Sequence, residues 1–447
     1  MTVATLDALN AASAGTPTPP PPPSTIAETG LHPDTLAQLM LKTLIAGESS
    51  GTHLAETMRL PYSVLDALIQ HARVEKLIEV RGASGAGSAG YRYALTDLGR
   101  ERAMQFLDIS RYVGPAPVAL SQYNAYVRAS MAARPWVDRA RLSTGFGHLV
   151  VGDSLLDNLG PAVNSGKALF LHGAPGNGKT VVAEGIGRAL GADLHVPHAI
   201  DVDGQTITMF DPVNHVPATS IGASSSVVNV AIHDRRWEAI RRPVVVVGGE
   251  LTLEMLDLTF NPISRFYEAP IQLKANNGVF VVDDFGRQRM PARDLLNRWI
   301  VPLESRVDFL TLHTGRKFEI PFNVFIIFAT NLKPESLADE AFLRRIPYKI
   351  RAKNPTREEY EAIFEMNCRK RGIPFDPMLV DYLVTEYYEP RKVEMRACHP
   401  RDLVEQVVDQ CRYQQRELAI TRASLDKACA AYFLEESQSQ GNEPTDV

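Results

Sequence analysis

The run Gly173-Ala174-Pro175-Gly176-Asn177-Gly178-Lys179-Thr180 has the GxxxxGK[ST] spacing of a phosphate cradle. Its glycines let the backbone curl around an anion with several N–H groups pointing inward, and a helix starting just after it adds the positive end of its dipole. Lys179 supplies a mobile cation, and Thr180 a hydroxyl suited to Mg²⁺. Such a loop works only between a strand and a helix. The apolar Ala168-Leu-Phe-Leu-His172 before it and the helix-favouring Val181 to Leu190 after it meet that condition.

Phosphate chemistry also needs acids, and Val279-Phe-Val-Val282 ends in Asp283 and Asp284. An unbroken apolar run suits a central parallel strand, and ligands gather at the carboxyl ends of such strands. Asp283 is placed to hold the metal through water, and Asp284 to polarise an attacking water. The next apolar run, Asn323 to Asn331, ends in an amide that can orient a water or touch a terminal phosphate without adding charge. Further on, Leu337 to Ile346 carries Arg344 and Arg345 behind a helical apolar face. Cys398-His-Pro-Arg-Asp-Leu403 sets Arg401 at a helix start.

Taken in order, these five features resemble the AAA+ ATPases over about residues 140–435. The resemblance implies a doubly wound α/β parallel-sheet P-loop core with a C-terminal helical lid, and ATP with Mg²⁺ as the bound pair. It implies that Asn331 matches sensor 1 and Arg401 sensor 2, and that Arg344 or Arg345 matches the arginine finger that reaches the neighbouring subunit's ATP. It further implies a homo-oligomeric ring, of which a hexamer is one form, that hydrolyses ATP to remodel a protein or macromolecular complex. Asp284 departs from the Glu of most members by one methylene. A displacement of about 1 Å can cost ~10²-fold in rate, so slow hydrolysis is expected unless the backbone compensates.

The interval from Lys179 to Asp283 is also longer than a minimal core requires. Within it, Ala199 to Phe210 alternates about an Asp203-Gly204 turn and predicts a hairpin. Phe260 to Lys274 holds Phe266 and Tyr267, which either grip polypeptide in a pore or pack an inserted helix on the core. Arg306 to Ile320 alternates about Thr314-Gly315, which predicts a second hairpin, similar to that of the pre-sensor-1 branch.

The remaining sequence bounds the protein class. With 447 residues the chain should hold two or three domains, and a net charge of −5 argues against a globally basic nucleic-acid binder. Four late cysteines without CxxC spacing read as reduced thiols, and His195-x-x-His198 as two structural histidines. No apolar run approaches the ~18 residues of a membrane span and Met1 to Asn10 lacks a signal-peptide pattern, so a soluble cytoplasmic protein is expected.

The expected order is a disordered Pro-rich tail (1–29), a winged-helix-like domain (30–110), a connector (111–139), the nucleotide-binding α/β domain (140–350), the helical lid (351–435) and a polar tail (436–447). Residues 30–110 hold eight Lys/Arg against nine Asp/Glu, which favours protein contact or packing over DNA binding. Two competing readings are a DNA-linked regulator, though the GAFTGA loop of sigma-factor activators is absent, and an ATP-dependent binding switch with slow turnover.

Overall fold

The computed structural model describes residues 19–83, 87–191, 193–218, 233–337 and 339–433. Residues 1–18 of the Pro-rich tail expected at 1–29, and the whole polar tail expected at 436–447, lie outside them.

Five short segments form one parallel sheet: β1 (Leu169–His172), β2 (Val244–Val247), β3 (Val279–Val282), β4 (Phe325–Thr330) and β5 (Tyr348–Arg351), in the order β2-β3-β4-β1-β5. Alternation along these strands sends Leu169, Leu171, Val279, Val281 and Ile327 to one face, where they pack with helix α1 (Lys179–Leu190). Phe170, Phe280, Val282, Ile326 and Phe328 face the other side, around the fully buried Trp299. Both faces of the central strands β3 and β4 are covered, which is why these read as unbroken apolar runs. The register pairs Val282 with Phe328 and Thr330 with His172. The residues that follow β1, β3 and β4 therefore emerge together at one edge of the sheet.

A second five-stranded sheet is mixed, and its strands come from distant parts of the chain. It runs Thr259–Asn261, Phe266–Glu268, Gln205–Thr208, Ala199–Val202 and Val118–Ala119. The hairpin at 199–208 forms at the predicted turn, with Asp203 and Gly204 both at positive φ, 51° and 78°. The hairpin of Val307–Thr311 and Lys317–Pro321 forms as well. Phe266 and Tyr267 correct the sequence reading. They lie in a strand rather than a helix, and Tyr267 is buried, with its ring 5.0 Å from Phe260. A buried tyrosine cannot line a pore.

Two more boundaries change. The segment expected to connect, 111–139, contains a strand of the mixed sheet and the helix Leu120–Ala132, whose Tyr126 packs 4.8 Å from Trp237. It is part of the folded body. The Pro-rich stretch 19–29 is tied down rather than disordered: Pro19 and Pro23 are buried and the Pro20 carbonyl accepts from Asp234 N–H. The Arg236 guanidinium donates to the Thr29 and Pro117 carbonyls and pairs with Asp234, both side chains being 1% exposed. A stiff polyproline segment loses little entropy on docking, so a few such bonds suffice to order it.

N-terminal to this junction lie helices Pro33–Thr43, Gly51–Met58 and Tyr62–Val74, strands Ile78–Ala83 and Tyr91–Leu95, and a further helix Asp97–Ile109, around a shared apolar core. C-terminal to the parallel sheet, the helices Arg357–Lys370, Pro377–Leu383, α2 (His399–Tyr413) and Arg422–Tyr432 enclose a separate core.

Candidate functional site

The loop between β1 and α1 takes backbone shapes only glycine holds without strain. Gly176 and Gly178 sit at φ 83° and 70°, and a Cβ on Gly176 would meet Cys398 Sγ at 2.4 Å. Lys179 begins α1 and is only 7% exposed. Its Nζ donates to the Gly173 and Ala174 carbonyls, each at 3.1 Å, and to Asn331 Oδ1 at 2.6 Å. Burial pulls the ammonium's pKa below the usual lysine value, while Asp283 and Asp284 oppose the shift.

The acids meet the loop from the next strands. Thr180 Oγ1 donates to Asp283 Oδ2 at 2.8 Å, and Asp283 Oδ1 accepts from the Asp284 N–H at 3.0 Å. Asn331 Nδ2 donates to Asp284 Oδ1 at 3.2 Å, so one amide bridges Lys179 and Asp284. Asp284 itself lies at φ 49°, an uncommon conformation for a non-glycine residue, and such strain tends to collect at functional sites. The result is a hydroxyl, an ammonium, an amide and two carboxylates held by one another at the sheet edge. That donor set fits a polyphosphate with a divalent cation.

These groups line an open cleft of about 860 Å³ whose other wall is the helical region. Arg401, in the first turn of α2, faces this cleft and pairs with Asp402 at 2.8 Å. The loop is also latched to that wall: Asn177 Nδ2 donates to Asn354 Oδ1 at 2.7 Å, and Asn177 Oδ1 accepts from the Ala397 N–H at 3.3 Å. Reading the sequence missed Asn354, Cys398, Arg287 and the apolar wall of Leu149, Val150, Val151, Ile363 and Met366. No local pattern marks them. They matter only because distant segments fold against the loop.

Arg344 and Arg345 stand outside the cleft, on the helix Glu340–Arg345 that Asp339 caps. Arg345 donates to Glu304 Oε1 at 2.5 Å and lies over the Phe342 ring at 5.9 Å. Arg344 is exposed and forms no ion pair among the described residues.

A family profile described as a domain of unknown function (DUF8689) matches residues 356–431, within the helical region. No curated protein matches the sequence. Among solved structures, the chain is similar to a RuvB mutant from Thermotoga maritima, at 12% identity and a TM-score of 0.38, covering 62% of this chain and 69% of that one. It is similar to NtrX from Brucella abortus at 14% identity and a TM-score of 0.38, covering 68% of this chain and 61% of that one. Likenesses of this size carry no argument. The description of the site rests on the chain's own topology: a glycine loop between strand and helix at the edge of a five-stranded parallel sheet, with two acids and an amide at the ends of the neighbouring strands.

Proposed function

We propose that this chain is an ATPase of the AAA+ type, which binds ATP with Mg²⁺ at Gly173 to Thr180 and hydrolyses it to remodel a protein or macromolecular complex. One observation carries the reading: Thr180 meets Asp283, and Lys179 meets Asn331, across 103 and 152 positions of sequence, at one sheet edge. In this reading the loop N–H groups and Lys179 hold the phosphates, and Thr180 and Asp283 would hold the metal, which would supply positive charge against that developing on the phosphoryl group. Asp284 accepts the proton of the attacking water, and Asn331 fixes Asp284 and that water relative to Lys179. Arg401 meets the terminal phosphate from the lid.

The arginine completing a neighbour's site is Arg344. It is the exposed member of the pair, whereas Arg345 is occupied by Glu304 and Phe342. A site shared head to tail between copies makes a closed ring the natural assembly. The N-terminal helices serve packing or protein contact. Their core includes Ala199 and touches Phe266 of the mixed sheet, and Arg73 of the third helix is engaged by Gln70.

The test mixes Lys179→Ala with Arg344→Ala chains, each inactive alone. Shared sites restore ATPase activity in the mixture. No restoration at any ratio, with assembly verified by mass, rejects the arrangement. A second reading, a nucleotide-binding switch with slow turnover, is favoured by the shorter acid Asp284 and its existing bond to Asn331. Turnover close to background in an assembled preparation that binds ATP would select it.

A further inference from the structure

Arg401 approaches one oxygen of Asp402 twice: its Nε donates to Oδ1 at 2.8 Å and its Nη2 lies 2.8 Å from the same atom. The other oxygen, Oδ2, accepts from the Tyr432 hydroxyl at 2.9 Å, so the last described helix fixes the carboxylate's orientation. Glu405, one turn further along α2, is engaged by Arg371 at 3.3 Å. The Arg401 side chain is 61% exposed and faces the cleft, while Asp402 is 24% exposed and set behind it. An acid in the first turn of a helix is common for dipole reasons alone, but that does not explain why it grips a cleft cation and is itself held by a phenol.

We propose that Asp402 is the resident counter-ion of Arg401, holding the guanidinium at the cleft mouth until a polyphosphate displaces it. The inference rests on the nucleotide-binding reading above. With phosphates absent, Arg401 and Lys179 are two of several cations lining one cleft, and the carboxylate beside Arg401 neutralises that one. An exposed ion pair is weak, so a ligand carrying several negative charges takes the guanidinium at little cost. Asp402 is then a positioning residue that sets how much of Arg401's attraction is available to the incoming phosphates.

The experiment titrates the full chain with Mg²⁺·ATPγS and, separately, with AMP by calorimetry. Asp402→Asn keeps the shape and an acceptor for Tyr432. It should bind ATPγS about two- to fivefold more tightly, the range an exposed pair supports, with AMP affinity unchanged. Asp402→Glu, which restores the charge, should match wild type. In an Arg401→Ala background the tightening from Asp402→Asn should vanish, which separates action through Arg401 from a general loss of negative charge. Unchanged or weaker ATPγS binding by Asp402→Asn, or the same gain with and without Arg401, overturns the proposal. Failure of the wild-type chain to bind ATPγS overturns the nucleotide reading instead.

Discussion

The two five-stranded sheets are built from opposite kinds of sequence. Four of the five strands of the parallel sheet are largely apolar runs of four to six residues, and three of these stop at the polar residues that form the cleft. The mixed sheet uses strands of two to four residues scattered between Val118 and Glu268, and the polar pair at the junction beside it, Arg236 with Asp234, is buried and fully bonded. In one sheet the polar groups are aimed outward at something to come. In the other they hold the molecule together. Mutations should separate the two roles.

The largest effect expected is from Lys179→Ala, which removes the central donor of the cleft and should bring ATP hydrolysis to background in a phosphate-release assay. Arg344→Ala should cost on the order of 10³-fold in turnover in assembled protein while leaving ATP affinity intact, because its proposed target is the neighbour's site. Arg236→Ala reverses the pattern: it strands Asp234 in the interior and should cost roughly 3–5 kcal/mol in denaturant unfolding, while turnover per folded molecule stays near wild type. Smallest of all, Arg345→Ala should lower stability by about 1 kcal/mol and change turnover far less than Arg344→Ala, since a single partly exposed pair with Glu304 contributes little. Equal losses of turnover from Arg344→Ala and Arg345→Ala would erase the distinction between the two arginines.

The same contrast explains what could be read from sequence. Asp283, Asp284 and Asn331 were legible because each ends an apolar run, and a run that stops at a polar residue states both where the strand lies and what its tip carries. The glycine loop was legible because its spacing has few other physical uses. Phe266 and Tyr267 were not, since a three-residue strand is too short to display alternation. The Pro-rich stretch reads as disorder by composition, and its anchor, Arg236, lies 207 positions away from the Thr29 carbonyl it binds. Asn177 was singled out as a loop residue, but its bond to Asn354 depends on how distant segments fold against the loop, which no local pattern encodes. Paired arginines were visible as a pair; only the neighbour Glu304 tells them apart.

The placement of Val118–Ala119 beside Ala199–Val202 bears on how the chain is made. During synthesis the first strand emerges long before its partner, and the guanidinium that closes the junction follows later still. The helices of residues 33–109 can fold as they leave the ribosome, because all but a few of their core contacts lie within residues 26–119. The mixed sheet cannot, and Val118–Ala119 has no strand to pair with until Ala199–Val202 has appeared. A fragment ending before that point would carry an unpaired strand, whereas one ending near residue 110 would not.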